Sequence, residues 1–302
     1  MKHIRHIFLL VLTIIFVACG SSDNGTEDPI GMTDDGPEEV DRSQNLLATG
    51  ASANDILSNT NFDRLLIEVT FAPGFRPTEE AMNNFQDYLR ENTFKDDIEV
   101  IYKEIPSPGE ESFTLEEIDD LEQENRTAFN DGSTLAIYIF FADAPSDGDD
   151  LDEGLVTVGA VFRNTSMVIY ERTIRILASG SGFSAQPLID IETATLNHEF
   201  GHLFGLVNLG TVAINDHEDV DAPNHCNVPG CLMQAQLQFG TTSRVASAIG
   251  KEALTSPCSL SGTGILKLLE QQAARGSQVV PVLDPECLLD LSGNGGRPVS
   301  GS

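Results

Sequence analysis

The residues best suited to chemistry in this chain are His198-Glu199-Phe200-Gly201-His202-Leu203-Phe204-Gly205. Histidines four apart on a helix share one face, a turn apart, so both imidazoles can reach one ion. Glu199 sits beside the first of them, where it can hold a water and take its proton. Zinc is the ion this pattern suits. It brings the pKa of water to about 7 and polarises a carbonyl. The expected reaction is hydrolysis of a peptide bond, with Glu199 as general base and then as proton donor to the leaving amine. His198 and His202 are the expected metal ligands.

A third ligand is needed, and the histidines say where to look. Past residue 6 the chain has His198, His202, His217 and His225, all in one short window. Scattered core or surface histidines would not cluster so. His225 and His217 are the main candidates, with Asn208 and Glu252 as minor ones. Gly205 follows His202 by three residues, where a ligand-bearing helix must stop and turn.

These residues need a scaffold, and periodicity supplies one. The stretch Leu65 to Phe71 alternates and reads as a strand. Thr78-Glu79-Glu80 opens a helix to about Asn92, with Met82, Phe85 and Leu89 on one stripe. A second strand covers Ile98 to Tyr102. Thr114 followed by early acids caps a helix to about Phe129. The run from Leu135 to Phe141 is strongly apolar, so it reads as a central strand. Two more strands, Leu155 to Phe162 and Met167 to Tyr170, flank a turn at Arg163-Asn164-Thr165. The motif helix then runs from about Asp190 to Phe204, with Leu196, Phe200 and Leu203 turned to the core. A last helix is expected over Thr263 to Ala274, and the tail from Ser292 reads as frayed. This order gives an α/β (α+β) fold, a mixed twisted sheet with packed helices.

The N-terminus reads as a separate device. Lys2 and Arg5 precede an apolar run from Ile7 to Val17. That run is shorter than the ~20 residues of a spanning helix and suits a signal-peptide core. Residues 1–18 are therefore expected to be a signal peptide. Residues 19–58 are rich in Ser, Asp, Glu, Gly and Pro and read as an acidic flexible tether, with one short helix between Asn45 and Asn59. Residues 59–302 form the domain.

The full chain of 302 residues carries a formal net charge of −30. Such a surface repels nucleic acid and anionic headgroups, so neither is an expected partner. Four cysteines, Cys226, Cys231, Cys258 and Cys287, are an even number in an exported protein, so disulfides are expected. The loop acids Asp143, Asp147, Asp149, Asp150, Asp152 and Glu153 offer oxygen ligands for Ca2+, without the spacing of an EF-hand. A solvated loop is the plainer reading there, and also for Asp216 to Asp221.

Phe16-Val17-Ala18-Cys19-Gly20 resembles the bacterial lipobox, with Phe16 where Leu is usual. The resemblance implies lipidation at Cys19 and membrane attachment by that anchor alone. Gly20 in place of Asp implies an outer-membrane or cell-surface lipoprotein. HExxHxxG resembles the metzincin clan of zinc peptidases. The clan's third His would fall at position 208, which holds Asn. Further on, His225-Cys226-Asn227-Val228-Pro229-Gly230-Cys231-Leu232-Met233 is similar to the archaemetzincin pattern of His-Cys, four residues, Cys, one residue and Met. The resemblance implies His225 as third ligand behind an inserted loop, residues 209–224, and Met233 as the Met-turn residue. It implies a peptide or protein substrate, added as an extra strand along the 155–162 strand. The family's second, structural zinc uses a later CxxC pair. Here that position reads Cys258-Ser259-Leu260-Ser261, so a disulfide is the expectation in its place. Two rival functions remain open at this level: a surface binding protein on a retired peptidase scaffold, and a zinc hydrolase acting on a non-peptide amide. Intact Glu199 speaks against the first.

Overall fold

A mixed sheet of apolar strands builds the centre of the described residues. The computed structural model of the chain describes residues 41–150, 156–180, 186–234, 260–261 and 280–298. Strands β1 (Arg64–Phe71), β2 (Asp97–Glu104), β3 (Thr134–Phe141), β4 (Thr157–Arg163), β5 (Ser166–Ile169) and β8 (Leu260–Ser261) form one mixed sheet in the order β2-β1-β3-β5-β4-β8. The first four in that order run parallel, and β4 is antiparallel to both neighbours. Strand β3 is apolar on both faces because both are covered. Ile137, Ile139 and Phe141 face one core; Tyr138 and Phe140 face the other.

Helices α2 (Glu79–Asn92) and α5 (Gln186–Leu203) pack together in the first core. Phe85 of α2 meets Phe200 of α5 edge-on at 5.2 Å, and Phe200 meets Phe204 at 5.1 Å. Such pairs add about 0.5–1.5 kcal/mol each beyond their buried area. Helix α3 (Leu115–Asn125) lies in the second core, where Ile118 is buried with Phe113 and Phe140. Its start is a capping box. The Glu117 amide donates to Thr114 Oγ1 at 3.2 Å, and the Thr114 amide donates to Glu117 Oε2 at 2.8 Å. A 3-10 helix (Ser43–Asn45), helices α1 (Ala53–Leu57), α4 (Glu171–Gly180) and α6 (Pro285–Gly293) and a small hairpin, β6 (Glu218–Asp219) with β7 (Ala222–Cys226), complete the described elements.

Two boundaries differ from the sequence reading. Part of the expected tether belongs to the fold. Asn45 Nδ2 donates to Ala136 O and Thr165 Oγ1, and Asn164 Nδ2 donates to Gln44 O at 2.8 Å. The docking is polar, so composition does not reveal it. The tail is also held further than expected. The Arg297 amide donates to Asn92 O at 3.0 Å and its Nε to Thr93 O. The signal-peptide and lipidation residues, Cys258, Asp152 and Glu153, Glu252 and the expected 263–274 helix lie outside the described residues.

Candidate metal centre

Helix α5 sets the first two imidazoles. Its C-terminus is closed by Gly205 at φ 72°. The Gly205 amide donates to His202 O at 3.1 Å and the Leu206 amide to Gly201 O at 3.3 Å. This paired closure satisfies the last carbonyls and stops the helix just past His202. His198 and His202 are both buried. Nδ1–H of His198 donates to Leu232 O at 2.7 Å, which fixes the tautomer and leaves Nε2 with its lone pair. That Nε2 lies 3.2 Å from Nε2 of His202.

His225 reaches the same point from β7. Its Nδ1–H donates to Pro223 O at 3.0 Å. The ring stacks at 5.4 Å on His198 and meets His202 edge-on at 5.1 Å. One ligand nitrogen from each of the three imidazoles lies within 4.8 Å of the others. Two nitrogens each about 2.05 Å from a tetrahedral zinc would stand about 3.3 Å apart. The His198–His202 spacing fits such an ion.

Burial tunes the groups the same way. It pushes the His198 imidazole down to about 3, with His225 adding to the effect. It holds His202 well below its usual value and lowers His225 too. Neutral rings are what a metal requires. Glu199 is fully buried, and burial drives its carboxyl well above the usual range. Neither of its oxygens has a hydrogen-bond partner among the described residues, nor does Nδ1 of His202. Orphaned buried polar atoms are costly, and a water held by a cation at the imidazoles would give the Glu199 oxygens a partner.

Two close approaches position these groups. A Cβ on Gly201 would fall 2.3 Å from Met233 Sδ, so the helix rests directly on Met233 between the two ligand turns. A Cβ on Gly159 of β4 would fall 2.8 Å from Glu199 Cγ and 2.9 Å from its Oε1. The bare backbone of β4 is what leaves Glu199 room.

A second cluster gathers the remaining chemistry-bearing residues. Cys226, next in the chain to His225, points the other way because strand side chains alternate. Its thiol lies 3.3 Å from His217 Nδ1 and 3.0 Å from Asp284 Oδ2. Cys231 and Cys287 meet at 3.6 Å between sulfurs. His217 Nε2 and Asp290 Oδ2 are 2.9 Å apart. Burial pulls His217 down, while its contacts with Cys226 and Asp290 pull harder upward. Contacts among the thiols hold Cys226 below the usual thiol range and Cys231 and Cys287 above it.

This corrects the disulfide expectation for three of its four candidates. Cys226, Cys231 and Cys287 are free thiols, and a bond of about 2.05 Å is absent at 3.6 Å. The physical reason is that two sulfurs (Cys226 and Cys287), the His217 imidazole and the Asp284 carboxylate converge within 4.8 Å of one another, which suits an ion better than a pair. His217 therefore sits in this cluster, and His225 in the imidazole one. Asn208 is in neither: it adopts φ 63° and binds Glu218 and Ala213 within the loop. Of the acidic loop, Asp143 accepts from Ser107 and Asp149 from the Thr157 amide, so both carboxylates brace the loop.

Sequence reasoning missed Gly159, Asp284, Asp290 and the whole of α6. The last had a signal: Asp284-Pro285-Glu286 is an N-cap, a proline at N1 and an early acid.

No protein-family model matches this chain, and no curated protein matches it. Among solved structures it is similar to an archaemetzincin from Methanopyrus kandleri, at 14% identity over 77% of this chain and 96% of that one, with a TM-score of 0.43. It is also similar to a zinc-dependent peptidase from Methanocorpusculum labreanum, at 16% identity over 56% and 87%, with a TM-score of 0.34. What the site can do is read from its own side chains.

Proposed function

We propose that this chain is a zinc-dependent endopeptidase, exported and held at the outer membrane or cell surface by a lipid on Cys19. One observation carries the catalytic reading. Three buried imidazoles converge beside a buried Glu199 whose two oxygens have no partner among the described residues. A retired scaffold has no need of that carboxylate.

His198, His202 and His225 would hold the zinc. Bound there, zinc supplies Lewis-acid polarisation of a carbonyl and makes water acidic near neutral pH. Glu199 accepts the proton of the attacking water and returns it to the leaving amine. The Leu232 carbonyl keeps His198 in the tautomer that ligates. Met233, buried under Gly201, sets the height of the helix that carries both ligands.

The thiol cluster supports a second, structural zinc on His217, Cys226, Asp284 and Cys287, with the Cys231 thiol beside it at 3.6 Å from Cys287. Sulfur and imidazole are the ligand types of closed structural sites, and Asp290 orients the imidazole from behind. The test is metal content together with a peptide-library digest of the wild type and Glu199→Ala. The expected result is two zinc ions per chain in both, with cleavage only in the wild type. Zinc well below one per chain with no Glu199-dependent cleavage overturns the reading. Loss of labelled fatty acid in Cys19→Ser tests the anchor.

A further inference from the structure

Strand β4 brings the sheet to Glu199 with only a glycine between them. On its inner side Gly159 pairs with Ile169 of β5. On its outer side the same residue pairs with Leu260, and Thr157 pairs with Ser261, both antiparallel. The strand position outside β4, alongside the general base, is thus held by the chain's own Leu260–Ser261.

A sheet edge is a row of backbone donors and acceptors that an extended peptide can extend by one strand. Only one strand can use that row at a time. Among the described residues the β8 ladder has two register pairs with a shift between them, whereas β4 runs from Thr157 to Arg163. A longer extended peptide can pair along more of β4 and so displace the short ladder.

We propose that Leu260–Ser261 occupies the backbone track that a peptide substrate takes on β4, and must unpair before a peptide can bind. The segment is a built-in competitor, and it rests on the peptidase reading given above. It favours extended substrates long enough to outbid it and screens Glu199 from short ones.

The test uses the full chain with Ser261→Pro, since proline removes an N–H from the ladder and is poorly tolerated within it. Backbone hydrogen exchange at residues 157–161 is expected to speed up about fivefold, and kcat/KM for a model peptide to rise by a similar factor. That factor corresponds to one net backbone hydrogen bond of about 1 kcal/mol. A second arm leaves the protein unaltered. A synthetic peptide of residues 256–265 with Cys258→Ser is added in trans. Competitive inhibition, with slower exchange at 157–161, supports the proposal. Equal kcat/KM in wild type and variant, or inhibition that excess substrate does not relieve, overturns it while leaving the peptidase reading intact. Absence of Glu199-dependent cleavage in both proteins overturns the two together. Cleavage in the variant alone supports both.

Discussion

The two metal-capable clusters share a strand but differ in how their polar atoms are satisfied. In the imidazole cluster Glu199 and His202 keep buried atoms without partners, and two of the three ligands stand on the longest described helix. In the thiol cluster each named group touches another: Cys226 with Asp284 and His217, Cys231 with Cys287, and His217 with Asp290. Its residues come from β7, the turn after it, the loop before it and α6. The difference separates a site built to react from one built to fasten. Unsatisfied buried groups store capacity for a ligand and a reaction. Mutually satisfied ones tie distant segments together.

The largest effect should come from the reactive side. Glu199→Gln should lower kcat/KM by about 10²–10⁴-fold with zinc content unchanged. His202→Ala should remove one zinc per chain and all cleavage while leaving the thiol-bound ion, which metal analysis by mass spectrometry reads directly. Zinc lost from both sites at once would break the comparison.

The fastening side should answer differently. Cys287→Ser should remove the other zinc and cost about 1–3 kcal/mol of stability, the scale of an unsatisfied buried polar group. Thermal unfolding should report it as a fall of several degrees. Glu199-dependent cleavage at a temperature well below the transition should persist.

A third change probes the join. Gly201→Ala drives a Cβ against Met233 Sδ, so overpacking should cost about 1–3 kcal/mol. Combining it with Met233→Ala should recover part of the loss in a double-mutant cycle. Additive losses would show that Met233 does not bear on the helix.

The smallest effect concerns the far end of α5. Glu171 and Glu192 are buried, and burial followed by their mutual repulsion holds Glu171 well above the usual carboxyl range; burial raises Glu192 as well. A carboxyl with a raised folded pKa stabilises fully below its unfolded value of about 4.3 and loses that stabilisation as pH rises through the folded value. Stability should therefore decline as pH climbs above about 5. In Glu192→Gln that decline should be shallower, as measured by urea unfolding across pH. The thiol-bound zinc should be indifferent to the change, because α5 does not carry it.

The ease of reading the sequence follows the range of the interactions. His198, Glu199 and His202 lie on one helix, so a spacing of four places them. The apolar run of β3 and the caps at Thr78 and Thr114 are equally local. His225 was readable only through its Cys-and-Met context. Cysteine counting points to disulfides at the thiol cluster, because it cannot see that His217, distant in sequence from Cys287, closes the same pocket. Asn45 and Gly159 act through backbone contacts with residues far along the chain, and no local pattern marks them. The described part of strand β8 is Leu260–Ser261, which shows no periodicity of its own.

One consequence of the β7 geometry concerns inheritance. His225 and Cys226 are neighbours in the chain and serve opposite faces, so they descend as a single unit. The loop before them carries His217, so its path is tied to the thiol cluster as well. A slip of one residue within the strand exchanges the imidazole and the thiol between the two clusters and ruins both. Insertions on this hairpin are thus expected on the His202 side of His217, where neither the imidazole nor the thiol register moves.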